Sequence, residues 1–507
     1  MLFNRLRKQM KWIFVVIAAA FALGMVIIGA DGGFGFGGIS SGRSAVAVVN
    51  GTKITAADLQ RAFSEQYLMA RLYYQAIPNS MRPELEYYAY LTLRDYNLLL
   101  QEARRQKIKV SDKELDEEFK KSRERYPSQE EFLTALQDQG FRGEKDYKEQ
   151  LRENLMVQKL LDSIGANIEV SDADVARSYE KITASLILIK PKGEGEAAWT
   201  VAERLANDVV AKARSGQDFA TLAKTYSDDS SKLSGGELGE IGHDQLPQAV
   251  DEAAFQLSAG QVSDAIKGTD GYYIVKVTAR KDASGEDFEK QKESLRQQLT
   301  EQRRQEEQAK WFANLQAQAK IEIKDPVLKA RDLVSIGKLD EAIAEYNRAL
   351  GERDDPYVRM YLARVYEMKK DKVQMMAELE RSAQGAPNDY DIQLALGLAY
   401  KDADQKEKAL AALKKVQELA PQDDLSIHSQ LASLFQELGE EELAKQEEQR
   451  VNEIWELYQK QQEEAQKNQA NQQSEASQPA AGEQSGASAA SVATGQQSDA
   501  ASSQSGQ

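Results

Sequence analysis

The hydrophobic pattern along the chain begins with an uncharged block. Residues 12–30, WIFVVIAAAFALGMVIIGA, hold nineteen positions without a charge and follow MLFNRLRKQMK, which carries Arg5, Arg7, Lys8 and Lys11 and no acid. A helix of that length reaches roughly 28 Å, about one hydrocarbon thickness. The basic flank predicts a cytoplasmic N-terminus, with the rest of the chain across the membrane. A cleaved signal peptide is the alternative, but a cut after Ala30 puts Ile28 where such sites want a small residue. The expectation is a basic segment over 1–11, a single-pass anchor over 12–30 and a Gly-rich linker over 31–43.

Beyond the linker the pattern becomes short strands and amphipathic helices. AVAVVNGTKIT alternates around the turn signal Asn50-Gly51, and Thr55 is placed to cap the helix that starts at Ala56. KIKVSDKELDEEF and NIEVSDADVARSY echo each other, with Ser111 and Glu114 in one and Ser171 and Asp174 in the other set as capping boxes. Leu151, Leu155 and Leu161 form an apolar stripe at helical spacing. Residues 182–281 open on TASLILIKP and close on GYYIVKVTA, two strands, with helical patterns and the polar stretch SDDSSKLSGGELGEIG between them. A long charged helical pattern follows and ends at IEI, Ile321 to Ile323.

A repeat occupies 324–457. Tyr366 and Tyr400 are 34 residues apart, as are Ala386-Pro387 and Ala420-Pro421, and Gly397, Tyr400, Ala409 and Pro421 fall on the tetratricopeptide pattern. Small residues at these sites let paired helices approach, so they read as packing positions. Residues 461–507 are Gln, Ser, Ala and Gly, too poor in apolar residues to build a core, and read as a disordered tail.

Composition narrows the chemistry. The net charge of -16 argues against nucleic acid, which needs clustered Lys and Arg. There is no cysteine for a thiol nucleophile or a disulfide, and the two histidines, His243 and His428, give no metal-ligand spacing. No metal and no cofactor is expected.

Residues 44–181 resemble the N-terminal chaperone module of the SurA, PpiD and PrsA group, in VVNGTKIT, in GF…DYKEQLRENLMVQKLL and in VSDADV…Y. The resemblance implies that a returning helix, here within 283–323, completes the module; a free charged helix is the alternative. Residues 182–281 resemble a parvulin domain, most closely in FATLAKTYSDDSSKLSGGELGEIG, VDEAAFQLSAGQVSDAI and GYYIVKV. The resemblance implies a peptidyl-prolyl isomerase whose polar loop carries the active-site acid, Asp229, and turns Leu238-Gly239 toward the substrate, with Leu238, Leu246 and Val250 as the proline cup. Parvulins commonly carry histidines where this chain has Leu186, in ASLILI, and Tyr273, in GYYIVKV. Leu186 offers no hydrogen bond, Tyr273 keeps one, and Val250 stands where a larger Phe is usual. His243 lies on a loop and cannot replace a histidine on the strands.

The fold class expected is an α+β multidomain chain: a transmembrane helix, a mostly helical SurA-like domain, a parvulin α/β domain, an α-helical tetratricopeptide solenoid and a disordered tail. The function expected is a membrane-anchored folding factor on the extracytoplasmic side of a bacterial inner membrane, acting with weak catalysis on unfolded or newly translocated proteins with X-Pro segments. The repeats would recruit a protein partner. A peptide-binding module without turnover and a repeat-based assembly scaffold are the competing readings.

Overall fold

The computed structural model describes residues 44–71, 77–138 and 141–476. They form two units, one from the described residues up to Ile77 together with Met81–Asp332, the other from Pro78–Ser80 and Leu333 onward. The first begins with β1 (Ala45–Val49) and β2 (Thr52–Thr55), paired antiparallel around Asn50-Gly51. Five helices follow α1 (Ala56–Arg71): α2 (Arg82–Arg105), α3 (Asp112–Glu124), α4 (Gln129–Asp138), α5 (Glu144–Ser163) and α6 (Asp172–Tyr179). Their starts are fixed locally. Thr55 and Asp58 exchange side-chain and backbone hydrogen bonds at α1, and the boxes Ser111/Glu114 and Ser171/Asp174 are both complete at α3 and α6.

The chain then enters a four-stranded antiparallel sheet of order β4-β3-β6-β5. Its elements are β3 (Lys181–Ile189), α7 (Glu196–Arg214), α8 (Phe219–Tyr226), β4 (Glu237–Gly242), α9 (Gln248–Gln256), β5 (Ile266–Lys267) and β6 (Tyr272–Lys281). The period-two alternation of a strand divides its side chains between two faces. Ile187, Ile189, Tyr272 and Ile274 point to α7 and α8, where Ala206, Val209, Leu222 and Ala223 meet them. Leu186, Leu188, Tyr273 and Val275 point the other way, to Val250 and Ala254 of α9. Near-continuous apolar runs in β3 and β6 follow from this, since both faces of these strands are covered.

The long helix α10 (Glu286–Gln318) returns to the helical body, and β7 (Ile321–Ile323) pairs antiparallel with β1, matching Ala47 to Ile323 and Val49 to Ile321. Trp311, Phe312 and Leu315 of α10 pack on a core made by Leu99, Leu100 and Ala103 of α2 with Val157, Leu160 and Leu161 of α5. α11 (Pro326–Ser335) adds Leu328 to the core around β1.

The second unit is a row of antiparallel helices: α12 (Leu339–Glu352), α13 (Pro356–Met368), α14 (Lys372–Gly385), α15 (Tyr390–Asp402), α16 (Lys406–Leu419), α17 (Leu425–Glu437) and α18 (Glu441–Ala476). Asp355, Asp389 and Asp424 each cap the first helix of a pair by accepting from two backbone N–H groups. A Cβ at Gly397 would meet Leu413 Cδ2 at 2.9 Å, so α15 and α16 pack closely there and a larger residue would require the Leu413 side chain to shift.

Two expectations are corrected. The fold class drops its transmembrane helix, because among the described residues no helix is long and apolar enough to cross a membrane; the segment 12–30 itself lies outside the described residues. The tail expected from residue 461 is helical as far as Ala476, as the end of α18. Low apolar content precludes a core but not a helix, and Gln, Glu, Lys and Ala all favour one.

Candidate functional site

The polar stretch Ser227–Gly242 is docked rather than loose. Ser227 is fully buried, and its Oγ accepts from the backbone N–H of Leu188 and of Asp229, both at 3.1 Å. Asp228 N donates to the Leu188 carbonyl at 2.7 Å, and its carboxylate accepts from Lys190 N at 3.0 Å. Asp229 then caps a short 3-10 turn, Ser230–Ser234, with Oδ1 accepting from the N–H of Ser231 at 2.8 Å and from its hydroxyl. The chain re-enters the sheet through Gly236. With φ at 78° it occupies the left-handed region, and a Cβ there would lie 2.4 Å from the Leu186 carbonyl oxygen; only glycine suits both demands. The stretch ends as β4, an edge strand on β3.

The structure brings five of the six sequence candidates into one apolar cluster. Leu186, Val250 and Tyr273 are buried in it, while Leu238 and Leu246 pack against it and remain partly exposed. Val250 has no exposed surface, so it supports the cluster from beneath. Leu186 is paired with Val275, and Tyr273 with Leu188, so the two positions of interest lie diagonally across β3 and β6. Asp229 is not part of the cluster; its charge acts on the Tyr273 phenol. That phenol donates to Asp270 Oδ1 at 2.6 Å. Burial first, and then this hydrogen bond, push it up to about 12. The same bond, with Lys190 beside it, holds Asp270 below the usual carboxylate range.

His243 reaches the cluster only through Phe255, which packs against it. Its ring stacks on Phe255 with centroids 3.5 Å apart, Nδ1 lies 3.1 Å from Asp251, and Nε2 lies 3.1 Å from Glu180. Asp251 is buried and also accepts from the backbone of Asp244 and from Arg177. This joint fixes the start of α9, and so Leu246 and Val250. Sequence reasoning missed Ser227, Asp251 and Asp270, each of which has a partner remote in sequence: Leu188, Arg177 and Lys190 respectively. Among the described residues no group of side chains has the makings of a metal site. An apolar patch over a buried phenol, with acids beside it, suits binding an apolar segment of a chain.

Three stretches of the chain match known families. Residues 2–161 match the SurA-like N-terminal domain, residues 172–281 the PPIC-type PPIase domain, and residues 390–423 a tetratricopeptide repeat. Foldase protein PrsA 3 of Bacillus cereus is 33% identical over 218 residues, covering 43% of this chain and 70% of the relative. Foldase protein PrsA of Bacillus subtilis is 35% identical over 231 residues, covering 44% and 71%. Among solved structures, the peptidylprolyl isomerase PrsA from Bacillus anthracis is 29% identical over 43% of this chain and 95% of that one, with a TM-score of 0.25.

Proposed function

This chain belongs to the family of PrsA foldases, with a SurA-like domain, a parvulin-type isomerase domain and a tetratricopeptide repeat, and from that premise we propose that it binds proline-containing segments of unfolded, exported proteins and turns their prolyl bonds slowly. Rotation about an X-Pro bond crosses a barrier of roughly 18–20 kcal/mol and breaks no bond. It needs an apolar surface for the proline ring and surroundings that favour the twisted amide. The observation that carries the reading is the cluster itself: Leu238 and Leu246 are partly exposed over buried Leu186, Val250 and Tyr273, beside the Asp229 loop. Asp229 and Tyr273 are assigned to the reacting amide, Leu238 and Leu246 to the proline ring, and the buried Leu186 and Val250 to the floor beneath them. The basic flank ahead of the uncharged run 12–30 supports an export signal and an extracytoplasmic place of action. The helical repeats are assigned to a protein partner.

A binding module without turnover is the second reading, favoured by a specific observation: the sheet positions facing the cluster are Leu186 and Tyr273, and neither brings an imidazole. A proline-peptide isomerisation assay run beside a binding titration on the full chain separates the two. Saturable acceleration supports the first; binding with no acceleration supports the second; neither refutes both.

A further inference from the structure

Tyr273 has one hydroxyl hydrogen, and the chain spends it outside the cluster. Oη donates to Asp270 Oδ1 at 2.6 Å, while Asp270 Oδ2 lies 3.3 Å from Lys190 Nζ. The ring is held as tightly. A Cβ at Gly268 would lie 2.5 Å from Tyr273 Cε2, and Gly268 N donates to the Gly271 carbonyl at 2.8 Å, closing the β5–β6 turn around the ring. The backbone of Lys190, directly after β3, is tied down by donating its N–H to Asp228, while its side chain is half exposed. A phenol whose hydrogen is committed presents only lone pairs elsewhere. Asp229, whose charge reaches this phenol, is a second group that only accepts when ionised.

A planar prolyl amide carries extra negative charge on its carbonyl oxygen through resonance with nitrogen, and rotation takes that charge away. Donors aimed at the oxygen stabilise the planar ground state; acceptors alone disfavour it relative to the twisted form. We infer that Asp270, braced by Lys190, is a positioning residue that keeps the Tyr273 hydrogen away from the prolyl carbonyl, so that the site does not hold its substrate in the planar state. This deepens the isomerase reading above and rests on it.

The test uses the full chain with a short apolar X-Pro peptide, measuring turnover and peptide Kd separately for wild type, Asp270→Ala, Asp270→Asn, Tyr273→Phe and the double variant Asp270→Ala/Tyr273→Phe. Asp270→Ala releases the hydrogen toward the carbonyl, so the peptide binds about fivefold more tightly and turnover falls by about the same factor, the size of one ordinary hydrogen bond. Asp270→Asn keeps an acceptor for the phenol and stays near wild type. In the Tyr273→Phe background, Asp270→Ala changes neither constant, because the residue acts only through the phenol. Lys190→Ala loosens Asp270 from its other side and moves both constants in the same direction as Asp270→Ala. The inference is overturned if Asp270→Ala leaves both constants unmoved, or acts equally with and without the Tyr273 hydroxyl. Absence of any wild-type turnover sinks the isomerase reading alone, and the pattern of Kd values still decides the role of Asp270.

Discussion

Lys181 and Lys281 are cross-strand partners, so the chain leaves the helical body and returns to it at adjacent positions a hundred residues apart. An insert with neighbouring ends is removable without stretching what remains. Replacing residues 182–281 by a short Gly/Ser linker is therefore predicted to leave a folded helical body, closed by the β1–β7 pairing. Circular dichroism and a cooperative thermal transition check this; a molten product contradicts it.

Val250 and Leu246 are predicted to separate stability from binding. Val250 is fully buried, so Val250→Ala removes two methyl groups from a closed core and costs roughly 1–2.5 kcal/mol in a urea titration. Leu246 is only half-buried against the cluster, so Leu246→Ala leaves the unfolding midpoint nearly unchanged and weakens proline-peptide binding several-fold. Equal effects of the two on stability would place Leu246 in the core.

Gly236→Ala meets both a left-handed φ and the Leu186 carbonyl. The predicted cost is about 1–3 kcal/mol, concentrated in the loop. Amide exchange reads it directly, because Leu186 N donates to the Gly236 carbonyl at 2.8 Å: the Leu186 amide should lose protection while amides of α7 and α8 keep theirs.

Acid is predicted to loosen the helical body through its own helix caps. The hydrogen bond from Lys159, then those of Ser111, lower Glu114 to about 2. Arg303 of α10, then Ser171, hold Asp174 well below the usual carboxylate range. A carboxylate whose folded value is depressed contributes stability above its unfolded value, near 4, and loses that contribution as pH falls toward the folded one. The thermal midpoint should therefore drop between about pH 4.5 and pH 2.5, and less steeply for Glu114→Gln than for wild type. A midpoint that rises on acidification would reverse the sign of this account.

What was legible in the sequence was what local chemistry decides. The pairs Ser111/Glu114 and Ser171/Asp174 are three residues apart and cap their own helices, so spacing alone reveals them. Tyr366 and Tyr400 repeat because each helix pair meets the next in the same way. Other features were hidden because their partners are remote. The stretch Glu237–Gly242 reads as a glycine-rich loop, and it becomes β4 only because the edge of β3, more than fifty residues earlier, offers hydrogen bonds to it. Likewise Asp270 looks like an ordinary turn acid until the fold sets Lys190 beside it, and Asp251 until Arg177 reaches it from α6. The six site candidates came from resemblance to parvulins. That Leu186 and Tyr273 share one sheet face follows from parity along β3 and β6, whereas the burial of Val250 depends on how α9 lies across that face.

The account's central claim is that the face around Leu186 and Tyr273 turns prolyl bonds without the usual imidazoles. The most direct measurement is the isomerisation rate of an apolar X-Pro peptide with the full chain, beside Leu186→His/Tyr273→His. The account predicts a saturable wild-type rate above the uncatalysed one, and an increase of about tenfold in the double variant, equivalent to roughly 1.4 kcal/mol of barrier, with peptide binding retained in both. A wild-type rate no faster than the uncatalysed one, in a chain that keeps its fold and its peptide affinity, would contradict it.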